Sequence, residues 1–179
     1  MALPAGRPGP VEAMMAADAA SRLLGIELLD HGQGWARARL TVTADMVNGH
    51  GTCHGGLIFS LADTAFACAC NSWGPVSVAA GCDITFVAPA RTGDILVAEA
   101  RARARYGRNG IYDVTVTAAG RLIAEFRGRS HELRPQAPQL RGLRCSGDPR
   151  DHCDPEMKAA DGMILETLRR GETNRPPRT

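Results

Sequence analysis

The chain has 179 residues, of which 44% are apolar and 22% charged, with 21 Lys and Arg against 19 Asp and Glu. A net charge of +2 excludes the clustered basic excess that marks nucleic-acid binding, and no apolar run reaches the roughly 18–20 residues that cross a bilayer. The first ten residues lack the continuous apolar segment of a secretory signal, so a cytoplasmic address is expected.

Composition divides the chain into three. Residues 1–10 hold three of the eleven prolines and read as a disordered leader. Residues 134–179 hold six more, with nine basic and seven acidic residues, and read as a tail with room for a short helix near 155–170. Residues 11–133 are the candidate domain. The six cysteines (Cys53, Cys68, Cys70, Cys82, Cys145 and Cys153) form no CxxC pair and are too sparse for a disulfide scaffold. They read as reduced, structural thiols, with Cys53, beside His54, the candidate for reactivity. Cys145, His152 and Cys153 lack ligand pairs at zinc spacing, so no metal is expected.

Residues 11–24 predict a helix that stops at Gly25, a common left-handed terminator. Strands are predicted over 26–30 and 35–43, where Ala36, Ala38, Leu40 and Val42 alternate with Arg37, Arg39 and Thr41. The turn-rich run Asn48-Gly49-His50-Gly51 follows. From Leu57 to Cys70, 11 of 14 residues are apolar, which predicts a helix buried on all sides. Four strand-like runs come next, at about 76–88, 94–106, 111–118 and 121–131, the last two joined by a hairpin turn at Ala119-Gly120. Connections this short demand antiparallel neighbours. The expected fold is therefore α+β: an antiparallel sheet of five or six strands wrapped around one long central helix.

Asp63 is the anomaly in this pattern. It is the only formal charge between His54 and Asp83, it lies inside the apolar helix, and no Lys, Arg or His falls within a turn of it. A carboxylate in a dry interior is costly unless paired, neutralised or used. The bland alternative is a solvent-facing stripe shared with Ser60 and Thr64. His54-Gly55-Gly56 opens the same helix, where the first turn leaves N–H groups unpaired and glycine lets an oxygen approach. Along one helix, Asp63 lies about 12 Å beyond Gly55, too far for both to act on one carbonyl. Either the two are unrelated, or a two-fold dimer brings Gly55 of one chain to Asp63 of another.

The run Asn48-Gly49-His50-Gly51-Thr52-Cys53-His54-Gly55-Gly56-Leu57-Ile58-Phe59-Ser60-Leu61-Ala62-Asp63-Thr64-Ala65-Phe66-Ala67 resembles the hotdog-fold acyl-CoA thioesterases of the PaaI type, associated with phenylacetate degradation. Cys82-Asp83-Ile84-Thr85-Phe86, Arg91-Thr92-Gly93-Asp94 and Phe126-Arg127-Gly128-Arg129-Ser130-His131 look similar as well. The resemblance spans roughly 12–133. It implies hydrolysis of aryl-acetyl-CoA thioesters, with Asp63 as general base or nucleophile, Gly55 as oxyanion donor, His54 shaping the turn and Asn48 orienting water or the acyl carbonyl. It implies no cofactor, and a homodimer with shared sites whose dimers pair into a tetramer. Some members carry a hydroxyl on the strand after the helix; here Ala79 and Ala80 stand in that neighbourhood, and Ser77 falls too early.

Substrate contacts are expected from Gly56, Thr64, Phe66 and Phe86, with Trp73 in the acyl pocket. Arg91 and Arg108 are candidate partners of coenzyme A phosphates, as guanidinium forks suit phosphate. Arg101, Arg103 and Arg105 alternate with alanines and are expected on one sheet face, either joining that phosphate site or simply solvated. Two other functions are compatible with the same residues: a non-catalytic acyl-CoA-binding module and an enoyl-CoA hydratase.

Overall fold

The computed structural model describes residues 8–134. The tail helix expected near 155–170, Cys145, His152 and Cys153 lie outside the described residues. The chain opens with α1 (Pro10–Ala17) and α2 (Ala19–Leu24), followed by strands β1 (Glu27–Gly32) and β2 (Trp35–Thr41). The long helix α3 (Gly55–Asn71) leads into β3 (Ser77–Phe86), β4 (Ile95–Tyr106), β5 (Asn109–Ala118) and β6 (Arg121–Glu132). Every strand pairing is antiparallel, in the order β1-β2-β4-β5-β6-β3.

The single helix expected over 11–24 is two. Asp18 adopts an extended conformation, ψ 96°, and its carboxylate accepts from the Ser21 N–H and hydroxyl, capping a second helix. An aspartate that can cap competes with continuing the helix. The stop at Gly25 is a left-handed residue, φ 71°. Ala119 and Gly120 both take positive φ, 47° and 78°, the geometry of a two-residue hairpin turn whose twist suits its strands.

α3 contacts all six strands. Six strands at about 4.8 Å spacing are roughly 24 Å wide, about twice a helix diameter, so the sheet must curl to touch it with every strand. This is the hotdog arrangement. Alanine makes the approach close: Ala36, Ala38, Ala98, Ala100 and Ala124 line the sheet under the helix, all fully buried. The helix is not covered all round, however. Ser60, Asp63 and Ala67, at helical spacing on one stripe, stay partly exposed.

Candidate active site

The approach to α3 is built by Asn48. Its Oδ1 accepts from the His50 N–H at 2.9 Å, the Thr52 N–H at 3.3 Å and the Thr52 hydroxyl at 3.2 Å. The loop is then locked by Gly51, at φ 72°, and by the bridge between Val47 and Cys53. With Oδ1 so engaged, the Asn48 Nδ2 donates no hydrogen bond among the described residues, and Asn48 forms part of the cleft wall described below.

His54 is the N-cap of α3, with its Nδ1 accepting from the Gly56 N–H at 3.0 Å. Leu57 N–H donates to the His54 carbonyl at 2.9 Å. Of the first three amides of the helix, only that of Gly55 has no acceptor among the described residues. It sits at the positive end of the helix dipole. Acceptance at Nδ1 places the proton of a neutral His54 on Nε2. The arrangement makes His54 a shaper of the turn.

Gly55 opens into a cleft of about 350 Å³ whose walls include Asn48, Thr52, Ile58, Phe86 and Pro89. A Cβ on residue 55 would meet the Phe86 ring at 2.9 Å, so glycine is what allows that ring to lie against the helix start. Asp63 is not among the walls. It lies two turns further along α3, half-buried, with the Cys82 thiol of β3 donating to Oδ1 at 3.9 Å. Burial pushes its carboxyl above the ordinary aspartate value, and the Cys82 contact pulls it back only in part. It has no cationic partner among the described residues. A carboxylate with raised proton affinity, no counter-ion and partial access suits proton transfer.

Several expected contacts lie elsewhere. Thr64 faces away from the cleft: it is buried, and its hydroxyl meets Ser21 Oγ at 3.1 Å. Phe66 is a core residue, 1% exposed, packed on Tyr112 and Phe126 in the space left by Gly128. Trp73 stands past the other end of α3, where its Nε1 donates to the Tyr112 hydroxyl. Gly56 spends its N–H on His54. Phe86, half-exposed, is the aromatic residue at the cleft. Arg91 is exposed near the cleft end of the subunit, two residues past Pro89, whereas Arg108 sits in the β4–β5 turn at the opposite end.

Nor do the three arginines of β4 share a face. A bulge between Ala102 and Ala104 takes up Arg103, so Arg105 turns inward to lie over Trp73 at 4.3 Å and to pair with Glu132. Arg103 pairs with Asp113 on the outer face. Cys53 is buried, and burial pushes its thiol up, against the reactive role expected of it. Burial holds Cys68 and Cys70 at about 12, inert at neutral pH. The least buried thiol among the described residues is Cys82. Its signal was present in the alternation of Cys82, Ile84 and Phe86, which sets all three on the inward face of β3.

Residues 50–125 match the family model described as Thioesterase superfamily. The acyl-coenzyme A thioesterase PaaI of Escherichia coli is 47% identical over 122 residues, a match covering 68% of this chain and 87% of that protein. The chain belongs to the PaaI-type thioesterases. The solved structure of the E. coli PaaI protein from the phenylacetic acid degradation operon superposes with a TM-score of 0.69 at 44% identity, covering 70% of this chain and 91% of the other. A mutant of the phenylacetic acid degradation protein PaaI from Thermus thermophilus gives a TM-score of 0.63 at 36% identity, with 65% and 100% covered. A protein named putative esterase from Archaeoglobus fulgidus is 36% identical, with 65% of this chain and 76% of that protein covered.

Proposed function

We propose that this acyl-CoA thioesterase hydrolyses aryl-acetyl-CoA, of the phenylacetyl type or its hydroxylated relatives, at sites that two copies of the chain complete together. The observation that carries the reading is the Gly55 N–H, which has no acceptor among the described residues, beside an aromatic wall, with Asp63, half-buried and without a cationic partner among the described residues, two turns away on the same helix.

In this site the acyl carbonyl accepts from Gly55, with the Asn48 amide as a second donor. Asp63 of the partner subunit takes the proton of a water that adds to the carbonyl, or adds to it directly. In the first route the adduct collapses to the free acid and expels the coenzyme A thiolate, which takes up the proton; in the second, Asp63 displaces the thiolate to form an acyl-aspartyl anhydride, which water then cleaves to free acid and a restored Asp63. Phe86 offers an aryl group a face, and aromatic pairs add about 0.5–1.5 kcal/mol beyond area burial. The relatives' names point to the same acyl class, since the E. coli and Thermus proteins are designated for phenylacetic acid degradation. Arg91, exposed near the cleft, is suited to a phosphate of coenzyme A.

The edge of the sheet supports the dimer. β3 is an edge strand, with Val78, Phe86 and the flanking Val76 and Val87 between 43% and 61% exposed. An apolar edge is a template for pairing unless covered. On β3, Phe86 lies beside Gly55 and Cys82 beside Asp63, four residues or about 13 Å apart. That matches the roughly 12 Å from Gly55 to Asp63 along α3. Antiparallel self-pairing of β3 about a two-fold axis near Ile84 therefore sets Phe86 opposite Cys82 of the partner subunit, and Gly55 opposite the partner's Asp63. A second pairing of such dimers would give the tetramer.

The test is a panel of acyl-CoA thioesters with a thiol-trapping dye. Phenylacetyl-CoA and its ring-hydroxylated relatives are expected to release coenzyme A with the highest kcat/KM. Faster release from straight-chain acyl-CoA contradicts the proposed substrate class. Binding without release, or loss of an enoyl chromophore without free thiol, contradicts hydrolysis.

A further inference from the structure

Cys82 is the only polar side chain that bonds Asp63 among the described residues. It sits on the inward face of β3, opposite Gly128 of β6, partly buried against the core. Its Sγ reaches only Oδ1 of Asp63, at 3.9 Å. A carboxylate restrained through one oxygen leaves the other, Oδ2, without a partner among the described residues and available to a water. Burial also raises the thiol, so it stays a donor while the carboxylate beside it is charged. We infer that Cys82 is a positioning residue for hydrolysis, its S–H holding the Asp63 carboxylate in the orientation that meets the water. The inference rests on Asp63 being the catalytic carboxylate.

A thiol suits this place because it is a weak donor. A strong donor favours the charged form and lowers the basicity that burial has raised. A thiol fixes the group and surrenders little of it. The other groups around Asp63 leave the task to Cys82. Cys70, on the same helix, is protonated at neutral pH and donates to the Ala67 carbonyl. The cations of the neighbouring strand β6, Arg127 and Arg129, lie on the outer face, paired with Asp113 and Asp83. The inward residues of β6 at this level, Phe126, Gly128 and Ser130, carry no charge.

The experiment compares Cys82→Ala and Cys82→Ser in the full-length protein by two readouts. One is the pH profile of kcat/KM; the other is the ¹³C titration of the Asp63 carboxyl without substrate. Removing a donor to the charged form raises the proton affinity of Asp63. The acid limb and the ¹³C midpoint of Cys82→Ala should therefore both move up by about half a pH unit, and kcat should fall about 2- to 10-fold. Cys82→Ser, close in volume and a better donor, should recover part of the lost kcat without reaching wild type, because it lowers the basicity of Asp63, and should put both midpoints below wild type. Unmoved midpoints in Cys82→Ala, or a Cys82→Ser variant displaced like the alanine, would overturn the inference. Full activity in Asp63→Asn would instead remove the catalytic reading of Asp63, while the substrate-free titration still judges its contact with Cys82.

Discussion

Asp63→Asn is expected to lower kcat about 10²–10⁴-fold while KM for the acyl-CoA stays within a few-fold of wild type. The amide keeps the shape of the side chain and loses the basic oxygen. The wild-type acid limb is expected above the ordinary aspartate range, because burial raises the proton affinity of this carboxyl. The same shift carries a stability consequence. Between the unfolded value and the raised native value, the folded protein binds the proton more tightly than the unfolded chain does, so stability falls as pH rises through that window. Above the raised native value the cost of the buried charge is fully present, and Asn removes it. Asp63→Asn should therefore melt higher than wild type at pH 7, with the difference vanishing once the pH is low enough to protonate both states. Thermal melts at the two pH values beside steady-state kinetics check both halves. A variant that hydrolyses normally contradicts the assignment.

Gly55→Pro should lower kcat about 10²–10³-fold with the helix intact. Proline is favoured at the first helical position, where the lost N–H has no partner in the helix. The residue before it must be extended. His54, at φ −63° and ψ 129°, already is. The substitution thus deletes the donor with little backbone strain. It also adds a Cβ in the path of the Phe86 ring, 2.9 Å from its tip. Gly55→Ala supplies the control, since it brings the same steric conflict and keeps the N–H. The ratio of the two variants' kcat values isolates the donor. Equal kcat in both would show that the amide does nothing for the oxyanion.

How far the sequence could reach is clear from particular residues. Strand alternation and the apolar density of 57–70 were enough for the sheet and its central helix, because burial acts directly on those patterns. The isolation of Asp63 in an apolar run was visible for the same reason. The orientation of α3 was not. A helix apolar on almost every side cannot say which face meets the sheet, so Thr64 and Phe66 were expected at the substrate and lie in the core. Local hydrogen bonding hid the rest. Asp18 caps and breaks a helix that composition would continue, and the bulge at Arg103 reverses Arg105 without any residue that announces it. Cys82 escaped notice because its value depends on which helix residue faces it across the layers, a register set by the bulge between Ala79 and Gly81.

In the proposed dimer each site takes Gly55 from one subunit and Asp63 from the other. Two nearly inactive variants, Asp63→Asn and Gly55→Pro, can be unfolded together in equal amounts, refolded and assayed. Half of the resulting dimers are mixed, and each mixed dimer holds one site with both groups intact, so activity should recover to about a quarter of wild type. Activity that stays at the average of the two parents, with mixed dimers demonstrated by differential tags, would contradict the shared site.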